Sequence, residues 1–362
     1  MIKSNPKKIC IVVSSLGAGG AERSSALLSE LLFDLGYDVH IVSVIDRIDY
    51  PYKGKLLNLG ELKSQDDSRL GRLKRLKVFR NYLKSHNFSH VIDHRTRIGF
   101  IKEFIISKWV YANEKVICCV HSYKTDNYIN PNPILGRILY GSVNQIVAVS
   151  KTIAQKIRVT YAFKNVVTIY NAIHLENNQT VIENQNSDKY ILFFGRINDK
   201  IKNISLLLEA YKVSHLPEKG VKLKILGDGI DKEMLIDKSE QMGLESDVQF
   251  LPFNPNPLEL VKYAYFTVLT SWYEGFPMVI PESLAFGTPV ISVDCKSGPD
   301  EIIINEQNGL LVENHNIEVL ANAMNRMLED KDLYLHCKSN ARASVEKFSK
   351  AEIGQQWKKL LE

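Results

Sequence analysis

Short, continuous apolar runs recur along the chain, and polar segments with helical spacing separate them. In the first half the runs predict strands at Ile9–Ser14, Val39–Val44, Val91–Asp93, Val116–His121, Ile146–Ser150 and Val166–Tyr170. In the second half they predict strands at Tyr190–Gly195, Leu223–Leu226, Val248–Leu251, Phe266–Thr270, Val290–Val293 and Leu310–Val312. Continuous rather than alternating apolar runs are typical of parallel strands covered by helices on both faces. The pattern therefore predicts an α/β protein with two doubly wound domains in tandem.

The predicted domain boundary is a polar stretch rich in Asn, Gln and Glu at residues 176–188. A chain of 362 residues is too long for one ordinary core, so we interpret 1–175 and 189–346 as separate domains. The last segment, 347–362, contains a predicted helix at Lys350–Leu361. We expect this segment to cross back to the first domain.

Composition narrows the class of protein. With 45% hydrophobic and 24% charged residues, the sequence is typical of a soluble globular protein. It has no apolar run of the roughly 20 residues that span a bilayer, and its start does not resemble a signal peptide. The net charge of +5 is mild, which fits phosphate-bearing partners better than nucleic acid. Five cysteines without a C-x-x-C pair predict buried, reduced thiols and a cytoplasmic location.

A glycine-rich turn, LGAGGAE at residues 16–22, follows the first predicted strand. Gly19 and Gly20 allow the backbone to approach a ligand closely, and the helix that begins near Ala21 directs free N–H groups toward the turn. The turn lacks the third glycine of G-x-G-x-x-G, so it is a weak dinucleotide signal. A simple strand-to-helix turn explains it as well.

The segment SWYEGFPM at residues 271–278 leads into a predicted helix. Pro277 suits the first turn of a helix, and free amides at that helix start can bind a diphosphate. Glu274 precedes the helix and Glu282 lies within it. Eight residues span at most about 12 Å along a helix, which matches the separation of sugar and ribose in a nucleotide sugar. Carboxylates accept hydrogen bonds from such hydroxyl groups. The alternative is a capped helix with a solvated acid.

Cations follow the first strand of the second domain. Gly195 and Arg196 end this strand and Lys202 follows, so both cations are candidates to neutralise a diphosphate. Open α/β sheets bind ligands at the carboxyl ends of their strands. Gly227 lies in a similar glycine turn after the next strand, and His121 ends a strand in the first domain. A histidine there could bind a sugar hydroxyl or move a proton, although many such histidines are structural.

A basic amphipathic helix is predicted at residues 69–84, with seven cations and no acid. Its apolar positions are Leu70, Leu73, Leu76, Phe79 and Leu83, and its basic stripe is Lys74, Lys77, Arg80 and Lys84. Such a stripe can contact an anionic membrane or hold a pyrophosphate. A solvated face on an ordinary helix is the alternative.

Together these motifs resemble family 4 of the retaining glycosyltransferases, which has the GT-B fold. In that fold two Rossmann-like doubly wound domains face each other across a cleft that holds the active site. The resemblance covers nearly the whole chain, and the block from Glu274 through ESLAFGTPVI at residues 282–291 is highly specific for it. The motifs GGAER at residues 19–23 and SGPDEI at residues 297–302 are similar to those of bacterial enzymes that build capsule, O-antigen or lipid-linked glycans.

The resemblance implies roles for individual residues. The donor sugar would contact Glu274, the ribose Glu282, and the diphosphate Arg196 and Lys202, with Lys200 as a rival because this stretch is one residue longer than usual. The implied catalytic residues are His121, Arg196, Lys202 and Glu274. The implied donor-binding residues are Gly19, Gly20, Asn171, Gly195, Arg196, Lys202, Gly227, Phe253, Glu274, Gly275, Phe276, Pro277 and Glu282, with the Phe250–Phe253 turn on the nucleotide side.

The implied reaction retains the anomeric configuration and uses a nucleotide sugar. Family habit favours UDP carrying an N-acetylhexosamine or a hexose. The acceptor would be a saccharide, of the kind linked to polyprenyl pyrophosphate, at the inner face of the cytoplasmic membrane. Related enzymes carry a basic helix in this domain, which favours acceptor or membrane contact for the stripe. No nucleic acid is expected as a partner.

No essential metal or other cofactor is expected. The one Asp-x-Asp, at residues 330–332, is predicted at a helix junction far from the other motifs, and no His/Cys/Asp cluster has ligand spacing in the sequence. The rival functions are a nicotinamide-dependent oxidoreductase, a sugar-nucleotide epimerase or phosphorylase of the same fold, and a non-catalytic binding module. An oxidoreductase would need the missing glycine, and a phosphorylase a longer chain.

Overall fold

The computed structural model describes residues 6–17, 19–175 and 189–362. It divides into two compact units. Unit 1 contains Met1–Ala172 and Lys350–Glu362, and unit 2 contains Ile173–Ser349. The predicted linker, 176–188, and Ala18 of the glycine turn lie outside the described residues.

The sheet of unit 1 has seven strands, all parallel, in the order β3-β2-β1-β4-β5-β6-β7. Its strands are Lys8–Val13 (β1), Asp38–Ser43 (β2), Lys55–Asn58 (β3), His90–Asp93 (β4), Val116–Val120 (β5), Gln145–Ala148 (β6) and Val166–Thr168 (β7). The order reverses between β1 and β4, as in doubly wound folds. Both faces are covered, which confirms the interpretation of the continuous apolar runs.

The sheet of unit 2 has six parallel strands in the order β10-β9-β8-β11-β12-β13. They are Tyr190–Phe194 (β8), Lys222–Leu226 (β9), Val248–Leu251 (β10), Thr267–Leu269 (β11), Val290–Val293 (β12) and Gly309–Val312 (β13). Each unit therefore repeats the same architecture, and the predicted α/β class with two Rossmann-like domains is confirmed.

Helices connect the strands. In chain order they are Gly20–Asp34 (α1), Leu59–Gln65 (α2), Arg69–His86 (α3), Phe100–Ile105 (α4), Pro133–Tyr140 (α5), Lys151–Tyr161 (α6), Asp199–Lys202 (α7), Ile204–Val213 (α8), Lys232–Gln241 (α9), Leu258–Tyr263 (α10), Val279–Ala285 (α11), Pro299–Ile302 (α12), Ile317–Glu329 (α13), Lys331–Ser344 (α14) and Lys350–Leu361 (α15). A π-helical segment, Ile106–Val110, continues α4, and single 3-10 turns lie at Thr125–Asn127 and Glu346–Phe348. None of the helices in the described residues combines the length and apolar character that a membrane crossing requires.

The C-terminal helix α15 belongs to unit 1. Ile353, Trp357 and Leu361 are almost fully buried in the same apolar cluster as the inner faces of α1 and β1. Lys350 at its start pairs with Glu30 and Asp34 of α1, with shortest N–O distances of 3.4 and 3.1 Å. Apolar burial rather than these part-exposed pairs holds the helix.

Strand β3 was not predicted. It lies at the edge of the sheet, and its sequence KLLN has no long apolar run because its side chains are only partly buried. An edge strand pairs on one side alone, so it needs less apolar character than a central strand. Hydrophobic runs reveal the middle of such a sheet better than its edge.

The prediction of a continuous apolar face on the basic helix is wrong for its first half. In α3, Phe79 and Leu83 are buried, whereas Leu70 and Leu73 are 69% and 55% exposed. The second half packs against the π-helical segment, as the spacing predicted, while the first two turns present leucine to solvent.

Candidate active site

Most of the predicted donor-binding residues of unit 2 lie where its strands end. Arg196 follows β8, Gly227 follows β9, Phe253 follows β10 and Glu274 follows β11. Because all these strands are parallel, their carboxyl ends share one edge of the sheet, which is where open α/β sheets bind ligands.

The short helix α7 brings Lys202 to this edge. The Asp199 carboxylate accepts from the backbone N–H and the hydroxyl of Ser205, at 2.8 and 2.7 Å, and fixes the turn that joins α7 to α8. The Thr270 hydroxyl donates to the Lys202 carbonyl at 2.9 Å, and the Trp272 N–H donates to the Ile201 carbonyl at 2.8 Å. These bonds attach α7 to the loop after β11.

Lys202 and Glu274 form an ion pair. The Lys202 Nζ donates to Glu274 Oε1 at 2.6 Å, and the Ser271 hydroxyl donates to the same oxygen, also at 2.6 Å. Both charged side chains are mostly buried, with 18% and 12% exposed. The predicted diphosphate cation and the predicted sugar carboxylate are thus direct neighbours. Lys200 is exposed, and the choice between Lys202 and Lys200 for the diphosphate stays a prediction.

The loop after β12 supports the backbone of Glu274. The Glu274 N–H donates to the Lys296 carbonyl at 2.7 Å, and the Ser297 hydroxyl donates to the Gly275 carbonyl at 2.9 Å. Gly298 has a φ of 105°, and a Cβ there would lie 2.6 Å from the Pro277 Cδ. Only glycine fits at this position. The SGPDEI motif therefore positions the segment that carries Glu274.

Pro277 is not in the first turn of the helix, contrary to the prediction. Helix α11 begins at Val279, and the Pro277 carbonyl accepts from the Ile280 N–H at 3.0 Å in the preceding turn. Phe276 is buried, with its ring 5.1 Å from that of Phe348. Glu282 lies inside the helix, as predicted, and is 8% exposed.

The glycine turn after β9 packs against the strand end of β8. Gly227 has a φ of 152°, and a Cβ there would lie 1.9 Å from the Gly195 carbonyl oxygen. Asp228 accepts from the Phe253 N–H at 2.8 Å and pairs with Lys232 at 2.7 Å, which lowers the pKa of its carboxyl. The Phe253 side chain is 38% exposed. Phe250 was expected to line the nucleotide side of the site, but it belongs to β10 and packs against the core of unit 2.

In unit 1, Gly19 and Gly20 begin α1, and the space around Gly20 is open. No described atom lies within 4 Å of a Cβ built on Gly20, so the fold of the described residues does not require glycine there. Asn171 is 7% exposed, and its side-chain oxygen accepts from the Ser24 hydroxyl of α1 at 2.7 Å. This bond joins α1 to the segment after β7.

His121 follows β5 directly and contacts a second histidine. The His94 Nδ1 lies 2.8 Å from the His121 Nε2, and the His94 Nε2 lies 3.6 Å from the Cys119 Sγ. Burial lowers the pKa of His94 to about 4, although the charge of Asp93 opposes the shift, and burial lowers the pKa of His121 well below its usual value. Burial also raises the pKa of the Cys119 thiol. All three groups are therefore neutral at pH 7.

A buried charge network fixes the strand ends beside these histidines. The Arg95 guanidinium binds Asp93 through both carboxylate oxygens, at 3.0 and 2.8 Å, and reaches Glu103 at 3.2 Å. Arg97 donates to the carbonyls of Asp93, Cys119 and Tyr128, each within 2.9 Å. Arg97 thus links the ends of β4 and β5, which carry His94 and His121.

Among the described residues, His94, Cys119 and His121 form the one group of His, Cys, Asp or Glu side chains within reach of a common ion, with ligand atoms within 4.8 Å. The 2.8 Å contact between two ring nitrogens is a hydrogen-bond distance. The two ring nitrogens of His94 also face different side chains, Nδ1 facing His121 and Nε2 facing Cys119. The absence of an essential metal stays a prediction. Asp330 of the Asp-x-Asp caps α14, accepting from the Leu333 N–H at 2.9 Å.

The sequence did not reveal His94 or Cys119 as site residues, and it gave Ser271 no role of its own within the segment 271–278. His94 lies in a polar run, Asp93-His94-Arg95-Thr96-Arg97, directly after a buried strand. This is the signal that singled out His121, and it could have found His94. Cys119 belongs to the apolar run of β5, and only the structure shows its contact with His94.

Two parallel-sheet Rossmann-like units with charged groups at the strand ends are typical of the GT-B class of glycosyltransferases. Family profiles agree: "Glycosyl transferases group 1" matches residues 176–344, and "Glycosyltransferase Family 4" matches residues 18–177. A Campylobacter jejuni protein, N-acetylgalactosamine-N,N'-diacetylbacillosaminyl-diphospho-undecaprenol 4-alpha-N-acetylgalactosaminyltransferase, is 31% identical over 96% of this chain and 98% of its own. The chain belongs to this glycosyltransferase family, which sets aside the oxidoreductase, epimerase, phosphorylase and binding-module alternatives.

Other similar proteins support the class. The amylovoran biosynthesis glycosyltransferase AmsD of Erwinia amylovora is 26% identical, over 90% of this chain and 91% of its own. The structure of S. aureus TarM with fondaparinux, α-GlcNAc-glycerol and UDP has a TM-score of 0.79 at 17% identity, covering 98% of this chain and 99% of TarM. Anabaena HepE with UDP-glucose has a TM-score of 0.79 at 19% identity, covering 98% of this chain and 99% of HepE. At these identities the two structures show a common fold.

Proposed function

We propose that the protein transfers a sugar from a UDP-sugar to a saccharide carried on a lipid diphosphate, with retention of the anomeric configuration, in cell-surface glycan biosynthesis. The observation that carries the proposal is the contact of Lys202 Nζ with Glu274 Oε1 at 2.6 Å, at the carboxyl edge of the sheet where Arg196 follows β8. A cation for a diphosphate and a carboxylate for a sugar hydroxyl are adjacent, as a nucleotide sugar requires.

In the proposed mechanism, Arg196 and Lys202 bind the diphosphate and stabilise the charge that develops as it leaves. Glu274 accepts a hydrogen bond from a hydroxyl of the donor sugar, and Glu282 accepts one from the ribose. His121 donates to the donor sugar. The bond between the anomeric carbon and the phosphate oxygen breaks, and the acceptor oxygen forms its bond to that carbon on the same face. The departing phosphate oxygen takes the proton of the acceptor hydroxyl, so the configuration is retained without a protein nucleophile.

The comparisons support the substrate classes. The Campylobacter relative is named for an undecaprenol diphosphate acceptor and an α-linked N-acetylgalactosaminyl product. A second Campylobacter relative, 26% identical over 98% of this chain, is also named for an undecaprenol-linked acceptor and an α linkage. The TarM and HepE structures contain UDP and UDP-glucose respectively. We propose an N-acetylhexosamine or hexose on UDP as the donor.

The donor site predicts a selective response to sugar nucleotides. In a thermal-shift screen with EDTA, UDP-sugars should raise Tm, whereas GDP-sugars, CMP-sugars and NAD should not. Arg196→Ala should weaken UDP-sugar binding by about 10- to 100-fold, because a hydrogen bond to a charged group contributes about 1.5–3 kcal/mol. Lys200→Ala is the matched control, since Lys200 is exposed, and it should bind like the wild type. A chain that responds to no sugar nucleotide, or only to NAD, contradicts the proposal.

A basic and apolar surface on unit 1 supports a membrane-bound acceptor. The surface consists of α3, α4, the π-helical segment and α5, which pack in succession. Large apolar side chains exposed on it are Leu70, Leu73, Val78, Ile101, Phe104, Trp109, Ile134 and Ile138. The one acid in these four elements, Glu103, is 2% exposed. Exposed apolar groups among cations and without acids fit the interface of an anionic bilayer.

The basic stripe lies on this surface. Lys74, Lys77 and Lys84 are exposed. Arg80 donates to the Trp109 carbonyl at 3.0 Å, and its guanidinium lies 4.9 Å from the centre of the Trp109 ring. We propose that the stripe contacts anionic headgroups or the acceptor pyrophosphate at the inner face of the cytoplasmic membrane, while the apolar side chains enter the interface.

Replacing the four stripe cations with Gln should weaken binding to vesicles that contain phosphatidylglycerol, because each cation near such a surface contributes about 1 kcal/mol. Flotation should show most of the wild type on anionic vesicles and little on phosphatidylcholine. The same variant should raise the KM for a lipid-linked acceptor and leave the donor KM unchanged. A matched control exchanges four exposed lysines elsewhere, Lys212, Lys331, Lys358 and Lys359, for Gln. Equal loss in both variants, or in neither, contradicts the proposal.

A further inference from the structure

Cys119, His94 and His121 form a row of contacting side chains, and these contacts determine which ring nitrogen of each histidine carries the proton. Each neutral imidazole has one N–H and one acceptor nitrogen. If one nitrogen accepts a hydrogen bond, the other must therefore carry the proton and can donate. His94 makes a contact at both nitrogens, with Cys119 at Nε2 and with His121 at Nδ1, at 3.6 and 2.8 Å. The direction of the hydrogen bond at the Cys119 thiol therefore fixes the tautomer of His94, and the tautomer of His94 fixes that of His121.

The direction of the hydrogen bonds in this row follows from the strength of the groups. Burial keeps the Cys119 thiol protonated, and sulfur is a weaker acceptor than an imidazole nitrogen. These strengths favour an order in which the S–H donates to the His94 Nε2 and the His94 proton lies on Nδ1. That N–H donates to the His121 Nε2. The proton of His121 must then be on Nδ1.

The His121 Nδ1 is buried and has no hydrogen-bond partner among the described residues. An unpartnered buried N–H is costly, and native proteins rarely leave one without an acceptor. An oxygen of a ligand that reaches this atom would remove the cost. Arg97 donates to the carbonyl of Asp93, which precedes His94, and to the carbonyl of Cys119. These bonds fix the backbone on both sides of the contact between Cys119 and His94.

We propose that His94 and Cys119 are positioning residues that hold His121 with its proton on Nδ1, ready to donate to a ligand oxygen. This inference rests on the proposed function for the identity of that ligand, the donor sugar. It makes no use of a metal. His94 touches no substrate in this scheme and acts only through His121.

The decisive experiment measures the tautomer of His121 directly. Long-range ¹H–¹⁵N spectra of histidine-labelled protein distinguish a protonated from an unprotonated ring nitrogen, and His121→Asn assigns the signals. The wild type should show the Nδ1–H form. His94→Leu should convert His121 largely to the Nε2–H form, whereas His94→Asn should retain Nδ1–H because its amide nitrogen can donate from the position of Nδ1. Cys119→Ala should give a mixture, and Cys119→Ser should resemble the wild type.

Kinetics provide the second readout. His94→Leu should lower kcat of sugar transfer by about tenfold with little change in the acceptor KM, and His94→Asn should restore most of it. An Nε2–H tautomer in the wild type, an unchanged tautomer in His94→Leu, or equal rates in the Leu and Asn variants would overturn the proposal. If His94→Leu does not fold, the Cys119 pair gives the same test. Because the spectra need no substrate, failure of the proposed transferase reaction remains distinguishable from failure of the proton order.

Discussion

Glu274→Gln should lower sugar transfer by about 100-fold while leaving UDP affinity equal to the wild type or higher. The lost hydrogen bond from the donor sugar to a charged carboxylate accounts for the first effect, at about 1.5–3 kcal/mol. The second effect follows from the ion pair, because Glu274 holds Lys202 at 2.6 Å. A neutral amide releases the ammonium group for the diphosphate.

The measurement compares kcat of transfer with the Kd of UDP by calorimetry. Lys202→Met should bind UDP more weakly than the wild type, in contrast to Glu274→Gln. Glu245→Gln, an exposed acid in the turn before β10, is the matched control for the loss of one charge and should behave like the wild type. Parallel losses of UDP affinity and transfer in Glu274→Gln would show that the carboxylate serves the fold of the site rather than the sugar.

Arg97→Met should lower the free energy of unfolding of unit 1 by about 3–5 kcal/mol, since removal of one partner leaves a buried charge network uncompensated. Arg97 is 3% exposed and donates to four carbonyls on three segments. Methionine keeps much of the apolar volume but none of the donors. The loss therefore reports hydrogen bonds and charge rather than a cavity.

Urea unfolding in a Trp272→Phe background isolates this effect. The other two tryptophans, Trp109 and Trp357, both belong to unit 1, so the fluorescence then follows that unit. Lys102→Met is the control: Lys102 is 56% exposed and pairs with Glu103 at 3.4 Å, and an exposed pair contributes less than about 1 kcal/mol. A loss below that of the control would mean that the network does not stabilise unit 1.

Much of the fold follows from the sequence because central parallel strands need continuous apolar runs. The other twelve strands were predicted, whereas the edge strand β3 was not, because its exposed and half-buried side chains carry no such pattern. The basic helix α3 illustrates another limit. Helical spacing located the helix, but only packing decided that Phe79 is buried while Leu70 is exposed. Spacing defines which residues share a face, and neighbouring elements determine how much of that face is covered.

For the candidate site, the sequence by itself determined the family and the residue types at the strand ends. Short motifs with glycine, acid and cation in order are local, because a strand end and the following turn are local structures. Arg196, Glu274 and His121 were found in this way. Their roles remain predictions that the experiments above address.

Only the tertiary structure decided which of these groups meet. Lys202 and Glu274 are 72 residues apart, and only the folded chain shows that the Lys202 ammonium contacts this carboxylate. His94 and Cys119 join His121 because β4 and β5 are hydrogen-bonded neighbours in the sheet, a pairing that no spacing in the sequence encodes. Strand order depends on how all the elements pack together, so contacts between side chains on different strands become visible only in the folded chain.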